Sequence, residues 1–454
     1  MKVFENVFNL SEWIEKIFFS SAYDDFGRTI LIINLIMTTV LMAFYLYQNV
    51  YSLIGLVTPK KKWKEAKVNH KYAYVICAHD EEPVIGQLVD SLLAQDYPKE
   101  LMKVFVCADN CQDRTAEIAR EHGAIVYERF SDIRGKAFAL KYVLDKIFDE
   151  YANELFEAVF FFDADNLVSK SYTTEMNKVY DAGYLVATSY RDSKNYNHNW
   201  VSACSSMAFY RECVLIHHSR ALLDIGTYVS GTGFYVDYQL LKARGGWNNF
   251  DSLIEDIDFS IDCACDGVKI GFCEDAIFYD EQPYSFKDSS SQRLRWCKGT
   301  HQCFARIVKH PGQYFKTRPS VSKWEMFCHV APMPIISLFW SVAYIIMMTI
   351  DAAINIRGES GIWYQNFEAT IISFAWLIGA IFGMAFLHAI FVTIRRGKTI
   401  KAPWYKQLWY CLVFPIYAST FLPASIAALF VKVKWKKISH TEQVSIDQLE
   451  NKAE

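Results

Sequence analysis

Four long stretches of this chain contain no Asp, Glu, Lys or Arg: Thr29–Pro59, Met326–Ile350, Ala369–Ile394 and Gln407–Val431. A helix of about 20 apolar residues crosses a bilayer, and runs this long are seldom core helices. Mean hydropathy is +0.05 although the chain carries 47 basic and 50 acidic residues, so its apolar and charged residues are segregated. That pattern calls for membrane spans in one place and a soluble domain in another. At 52% hydrophobic the chain can bury a large core, which excludes disorder. A net charge of −3 supplies no basic excess for phosphates, so nucleic acid is not an expected partner. The 454 residues suggest two to three domains.

The flanking charges set an expected orientation. Glu5, Glu12, Glu15, Asp24 and Asp25 dominate before the first stretch; Lys60, Lys61, Lys62, Lys64, Lys67 and Lys71 follow it. The positive-inside rule then puts the N-terminus outside and the following domain in the cytoplasm. The mildly acidic segment 351–368 reads as external, and Arg395, Arg396, Lys398, Lys401 and Lys406 as internal. The fourth stretch is followed by Lys432, Lys434, Lys436 and Lys437, so both its ends read as cytoplasmic. Pro415 and Pro423 interrupt it, which favours a re-entrant hairpin of two short helices over a plain fourth span with an external tail.

The expected organisation is an amphipathic extracytoplasmic segment over 1–28, a span over 29–59 and a soluble domain over 70–308. An interfacial helix over 309–325 follows, carrying Tyr314, Phe315 and Trp324 among Lys316, Arg318 and Lys323. Spans at 326–350 and 369–394, the hairpin or span at 407–431 and a cytoplasmic tail at 432–454 complete it. This describes a multi-pass protein of the cell membrane with no removable signal peptide. The twelve cysteines include no C-x-x-C pair, so no zinc ribbon or redox motif is expected, and the soluble part reads as facing a reducing cytoplasm.

Within the soluble part short β-rich runs alternate with helical ones. Strands are predicted at Tyr72–Ala78, Val104–Ala108, Ala124–Tyr127 and Ala158–Phe162, and helices at Glu82–Leu93, Thr115–Glu121 and Lys136–Phe148. Repeated β-α units predict a mixed, mostly parallel sheet with helices on both faces, where ligands bind at the carboxyl ends of the strands. Those ends are acidic: Asp80-Glu81-Glu82, Asp109-Asn110 and Asp163-Ala164-Asp165. A D-x-D turn alone arises often on solvated loops, but this one closes a V-F-F-F strand. Its hard oxygens suit Mg²⁺ or Mn²⁺, which would neutralise a diphosphate leaving group.

Further on, Ile254-Glu255-Asp256 opens a helical run, where a carboxylate at the positive helix end could serve as a general base or merely stabilise the helix. In Gln292-Arg293-Leu294-Arg295-Trp296, helical spacing puts Gln292, Arg295 and Trp296 on one face. That face offers an amide, a phosphate-binding guanidinium and an indole for stacking on a sugar, or else a basic interfacial helix with an aromatic anchor.

The series Asp80, Asp109, Asp163-Ala164-Asp165, Glu255-Asp256 and Gln292-Arg293-Leu294-Arg295-Trp296 resembles family 2 glycosyltransferases. It is similar to the membrane-integrated processive synthases of cellulose, hyaluronan, chitin and poly-N-acetylglucosamine. Any one motif is weak; all of them, in order between about 75 and 300, make the match specific. The resemblance implies a GT-A fold and inverting transfer from a UDP-sugar to a growing polysaccharide. It assigns Ala78, Asp80, Asp109, Lys136, Asp163 and Arg295 to the nucleotide and its phosphates. Asp165 and Asp163 would hold the metal, Asp256, beside Glu255, would be the base, and Gln292, Trp296, Gly231 and Thr232 would meet the acceptor. Ile254 departs from the family's threonine. The spans are fewer than in cellulose synthase, so a pore, if present, must use few helices, interfacial segments or a second subunit; a homo-oligomer or an accessory export protein is the partner this would call for. UDP-glucose is the favoured donor, with UDP-N-acetylglucosamine next. The rivals are a non-processive transferase acting on a lipid acceptor and, more distantly, an inactive UDP-sugar sensor or scaffold.

Overall fold

The computed structural model of the protein describes residues 25–248, 250, 252–355, 362–397, 399–433 and 440–450. The amphipathic segment expected over 1–28 lies outside them except for 25–28. So do 356–361 of the expected external segment and 434–439 and 451–454 of the tail. The chain forms two compact units, Met1–Val50 with Pro332–Ala385, and Tyr51–Ala331 with Phe386–Glu454.

The larger unit is built on one eight-stranded sheet. Its strands are β1 (Tyr72–Ala78), β2 (Met102–Asp109), β3 (Ile125–Arg129), β4 (Ala158–Asp163), β5 (Leu167–Val168), β6 (Val186–Ser193), β7 (Phe234–Asp237) and β8 (Ile270–Asp280), in the order β3-β2-β1-β4-β7-β6-β8-β5. The four strands from β3 to β4 are parallel; β7 and β5 run antiparallel to their neighbours, and β6 pairs β8 in parallel. This is the mixed, mostly parallel sheet that the repeated β-α units predict. Register aligns the functional edge: Ala78 lies opposite Ala108, and Cys77 opposite Asp163.

The V-F-F-F run is apolar throughout because β4 is buried on both faces, and successive side chains alternate between them. Phe160 and Phe162 enter a core with Tyr72, Tyr74 and Tyr172, while Val159 and Phe161 enter the opposite core with Phe105, Phe234 and Trp247. The helices run along the chain as α1 (Asp25–Val57), α2 (Ile85–Leu93), α3 (Thr115–Glu121), α4 (Lys136–Glu150), α5 (Tyr172–Asp181), α6 (Trp200–Arg211), α7 (Glu255–Asp266) and α8 (Phe286–Lys309). Residues of α2 and α5 line the first core and those of α4 the second, which makes a three-layer α/β domain.

Beyond α8 the apolar segments depart from the expected boundaries. Residues 309–325 are not one helix: a turn at Pro311–Tyr314 gives way to α9 (Val321–Val330), which runs into the predicted span. Ala331 is extended, and Pro332 and Pro334, which the first turn of a helix accommodates, restart the chain as α10 (Met333–Asn355). The third apolar stretch falls within α11 (Ile362–Arg396).

The fourth forms α12 (Trp404–Ser419) and α13 (Phe421–Phe430). Neither proline makes the break. Pro415 sits inside α12 and Pro423 in the first turn of α13, where a missing N–H costs little. The interruption is at Thr420, where the Ser419 and Thr420 hydroxyls donate to the carbonyls of Ile416 (2.8 Å) and Tyr417 (2.6 Å). Among the described residues three helical runs are long and apolar enough to cross a membrane: Phe26–Phe44, Met333–Asp351 and Trp404–Phe430.

Gly233 shows how tightly the sheet is fitted. Its φ is +67°, its N–H donates to Phe161 O at 2.9 Å, and a Cβ there would lie 2.2 Å from the Phe278 ring. Gly183 has φ +93° with open space around it. Gly233→Ala is expected to cost about 3 kcal/mol or more through overpacking and strain. Gly183→Ala should cost only the left-handed strain, about 1 kcal/mol. Melting temperatures of the two variants in one detergent would check the difference.

Candidate active site

The acids at the carboxyl edge form two connected groups. The first surrounds Lys136, which opens α4 behind a glycine. Its ammonium donates to the Asp163 carboxylate and, at 2.7 Å, to Gly231 O. Burial alone would pull Lys136 down; the carboxylates of Asp163 and Glu255 outweigh it and hold it well above the usual lysine range. Asp256 opens α7 beside Glu255, and a Cβ on Gly231 would stand 3.5 Å from Asp256 Oδ2. Burial and the neighbouring Glu255 charge push Asp256 up to about 7, against the Ile257 N–H, Lys136 and Arg295. A carboxylate so placed is a stronger proton acceptor than an ordinary aspartate.

The second group surrounds Asp165, 5% exposed. Its Oδ2 accepts from the Glu281 N–H at 3.3 Å and lies 3.9 Å from His440 Nε2. Asp280, ending β8, is pushed up to about 8 by burial and by the adjoining Asp165, since two carboxyl groups in contact cannot both ionise. Arg191, near the end of β6, stands 3.6 Å from Asp280, bonds Ser230 O and stacks on Phe209 at 4.1 Å. Burial pulls His440 down, but the carboxylates of Asp165, Glu81 and Glu281 outweigh it and hold it at about 10. Hard carboxylate oxygens beside one imidazole suit a divalent cation, so the residues present fit Mg²⁺ or Mn²⁺ at Asp163 and Asp165.

Around these lie the remaining predicted residues. Asp109 accepts from Arg129 Nη1 at 2.5 Å, and its carbonyl meets His79 Nδ1 at 2.6 Å. Asp80 takes a left-handed φ of +54°, and its Oδ1 accepts the Gln112 N–H at 2.6 Å. With Cys111 and Asp113 it forms a small cluster of cation-binding type, although Asp113 also accepts the Thr115 N–H at 3.0 Å. Ala78 ends β1 and is buried.

Thr232 departs from its expected place against an acceptor. It is 2% exposed, and its hydroxyl accepts the Asp163 N–H at 2.9 Å while donating to Asn166 Oδ1. It positions Asp163 instead.

The helix α8 presents two faces. Arg295 donates to Leu253 O at 3.0 Å, just before the Glu255-Asp256 turn, and Trp296 packs edge-on against Phe209 at 5.9 Å. Half-buried Gln292 lies one turn before Trp296. Arg293 points the other way: it is 1% exposed and stacks 4.2 Å from Tyr417 of α12. Ile254 caps α7 without a side-chain hydrogen bond and packs on Gly299 of α8, so the departure from threonine trades a cap for an apolar contact.

Sequence reasoning missed Arg129, Arg191, Asp280, Glu281 and His440. Asp280-Glu281 carried the signal that exposed Asp163-Ala164-Asp165, a β-rich run ending in acids. His440 carried none.

The glycosyltransferase-like family 2 model matches residues 70–299, half of the chain. The chain belongs to this family. It is 21% identical over 437 residues to the probable glycosyltransferase YdaM of Bacillus subtilis, covering 90% of this chain and 94% of that one. It is 24% identical over 298 residues to a beta-monoglucosyldiacylglycerol synthase of Nostoc, covering 62% and 60%. With the poly-beta-1,6-N-acetyl-D-glucosamine synthase of Staphylococcus epidermidis it shares 20% over 392 residues, covering 82% and 90%. The mannosyltransferase PcManGT of Pyrobaculum calidifontis, solved with GDP-Man and Mn²⁺, superposes with a TM-score of 0.51 at 14% identity over 86% of this chain and 98% of that one. The fold is GT-A, and the protein is a family 2 glycosyltransferase.

Three outcomes test the site. With Asp256 as base, kcat/KM should fall as pH drops through about 7, because the raised carboxyl is ionised only above that value. Asp256→Asn should remove at least about 10³-fold of kcat with donor binding kept. Thr232→Val should cost about tenfold in kcat, one lost hydrogen bond, at unchanged acceptor KM; a raised KM would return Thr232 to the acceptor.

Proposed function

We propose that the protein is an inverting, metal-dependent β-glycosyltransferase of the cell membrane that transfers sugar from a UDP-sugar to a growing polysaccharide. UDP-glucose is the favoured donor and UDP-N-acetylglucosamine the next. The observation that carries this reading is the geometry around Asp256: it opens α7 with Gly231 beside its Oδ2, and Arg295 donates to Leu253 O just before it.

On this reading the edge formed by Ala78, Asp80 and the Asp109–Arg129 pair takes the uridine. Arg295 and Lys136 contribute positive charge beside the diphosphate. Asp165 and Asp163 would hold Mg²⁺ or Mn²⁺, which would supply positive charge to neutralise the leaving group. Asp256 removes the proton from the acceptor hydroxyl, and Glu255 keeps it basic enough to do so. Trp296, with Phe209, gives the terminal acceptor sugar an apolar face, and Gln292 a hydrogen-bonding amide. A single displacement inverts the anomeric centre, so an α-linked donor yields a β-linkage.

A lipid acceptor is the second reading. It is supported by the Nostoc relative's named product class and by α12 and α13, whose Trp404, Trp409, Leu412 and Ile416 are exposed and apolar while Tyr417 and Phe421 pack on the helix that carries Trp296. Membrane residence, with the sheet on the cytoplasmic side, rests on the three apolar runs and the lysines after the first.

Detergent-purified protein, given Mg²⁺ or Mn²⁺ and separately UDP-glucose, UDP-N-acetylglucosamine, UDP-glucuronate and UDP-galactose, is expected to release UDP with one donor. A high-molecular-weight product sensitive to a linkage-specific glycanase should accompany it. Release that depends on added diacylglycerol and gives one sugar per lipid would select the second reading. Silence with every donor and acceptor would overturn both.

A further inference from the structure

Helix α6 does not stop at Arg211. It runs on through a π turn, Glu212–His217, into a last α-helical turn at His218–Leu222. A π turn closes i to i+5 bonds and occurs mostly as a single insertion, often beside a functional site. Its geometric effect is specific here. At about 100° per residue an α-helix would set Glu212 and His217 about 140° apart around its axis. The wider turn brings them together, with His217 Nε2 3.0 Å from Glu212 Oε1. His217 is buried, and its Nδ1 meets the Thr227 hydroxyl at 2.5 Å.

The same Glu212 oxygen accepts the Ser230 hydroxyl. Ser230 is held at a second point, where its carbonyl accepts from Arg191. One residue back, the Val229 N–H donates to Ser260 Oγ at 3.0 Å, and that hydroxyl donates to Asp256 O at 2.8 Å. One residue on, Gly231 O accepts from Lys136 at 2.7 Å, and Thr232 accepts the Asp163 N–H at 2.9 Å. The segment from Val229 to Thr232 thus reaches α7, Lys136 and the D-x-D turn, and Glu212 is the side chain that grips its hydroxyl.

The grip needs a hydrogen-bond acceptor at 212. Oε1 makes both contacts, and Oε2 has no hydrogen-bond partner among the described residues. A glutamine can keep both contacts; an alanine can keep neither.

We propose that Glu212 is a positioning residue for the transfer reaction: through Ser230 it fixes the segment Val229–Thr232, and with it Lys136 between Asp163 and Asp256. The proposal rests on the reading of Asp256 as the base. It gives a role in the chemistry to a π turn that no motif between 75 and 300 announces.

The charged groups facing Asp256 are Glu255 beside it, Lys136 of α4 and Arg295 of α8. Of these, Lys136 depends on Gly231 O for its place. The pH profile of kcat/KM therefore reads the positioning, measured as UDP release by full-length detergent-purified protein with Mg²⁺ and the UDP-sugar that supports turnover. Ser230→Ala and Glu212→Ala should each lower kcat about 10- to 100-fold at pH 7. Each should also move the acid-side midpoint up by about half a unit or more, because the cation that favours the Asp256 carboxylate is displaced. Part of the lost rate then returns at higher pH. The double variant should be no worse than Glu212→Ala alone. Glu212→Gln, which keeps the acceptor, should recover the midpoint and all but about threefold of the rate. A merely structural role would lower the whole profile without moving its midpoint, and that result in both alanine variants would overturn the proposal. So would losses that multiply in the double variant, or a Glu212→Gln as poor as Glu212→Ala beside an unimpaired Ser230→Ala. Asp256→Asn separates the two levels. Full turnover there sinks the reading of Asp256 as base; abolished turnover beside unchanged profiles in Ser230→Ala and Glu212→Ala sinks the role of Glu212 alone.

Discussion

The carboxyl edge of this sheet gathers more negative charge than a folded protein tolerates unpaired, and the surrounding structure answers it. Asp163 is held by Lys136, Asp109 by Arg129 and Glu81 by His440. Where no full counter-charge is available, the acids come in pairs and one member of each is driven toward its neutral form: Asp256 beside Glu255, and Asp280 beside Asp165. Lys194 shows the same pressure from the cationic side. It is buried among Asp165, Asp280 and Glu281, its Nζ has no hydrogen-bond partner, and burial still pulls it below the ordinary lysine range. An edge balanced this way gains by taking up a divalent cation.

Much of that edge was legible in the sequence because parallel β-α units write their ligand-binding ends into local sequence. Tyr72–Ala78 is the strand predicted, residue for residue, and β4 ends at Asp163 because its apolar run ends there. What escaped prediction depends on tertiary pairing. Asp280 meets Asp165 because β8 joins the sheet between β6 and β5, an order no local pattern fixes. Thr232 follows Gly231, where a Cβ would stand 3.5 Å from Asp256 Oδ2, yet its hydroxyl turns to Asp163 and Asn166. A glycine-rich turn predicts such proximity but not which way a side chain leaves it. In the apolar segments Pro415 and Pro423 mislead, since the break falls at Thr420, while the break at Pro332 inside the span expected over 326–350 went unread; a proline's effect depends on whether it falls in a helix's first turn or its interior.

One helix joins the two halves of the chemistry. The i, i+3, i+4 spacing that puts Gln292, Arg295 and Trp296 on one face of α8 leaves Ser289, Arg293 and Cys297 on the other, against Tyr417 and Phe421 of the apolar pair. Lys298 reaches Ala428 O at 2.8 Å and His301 meets Ser425 Oγ at 3.1 Å, so contact with α13 continues two turns further. Movement of the apolar pair would therefore be transmitted to Arg295 and Trp296 through a rigid helix rather than a loop.

The contact between α7 and α8 sets how closely that helix can approach Asp256. Gly299 has no side chain, and a Cβ there would meet Ile254 Cγ1 at 2.6 Å, so the two backbones are as near as an isoleucine allows. Ile254 belongs to the apolar cluster that includes Tyr228, Ile257 and Cys303, with Trp296 packed at its margin. A threonine at 254 would cap α7 but would remove apolar volume from this cluster. Isoleucine gives up about 1 kcal/mol of capping and recovers it by burial. The residue before Glu255-Asp256 therefore acts through packing: it fixes the height of α7 under α8, and with it the distance from Asp256 to the Arg295 guanidinium.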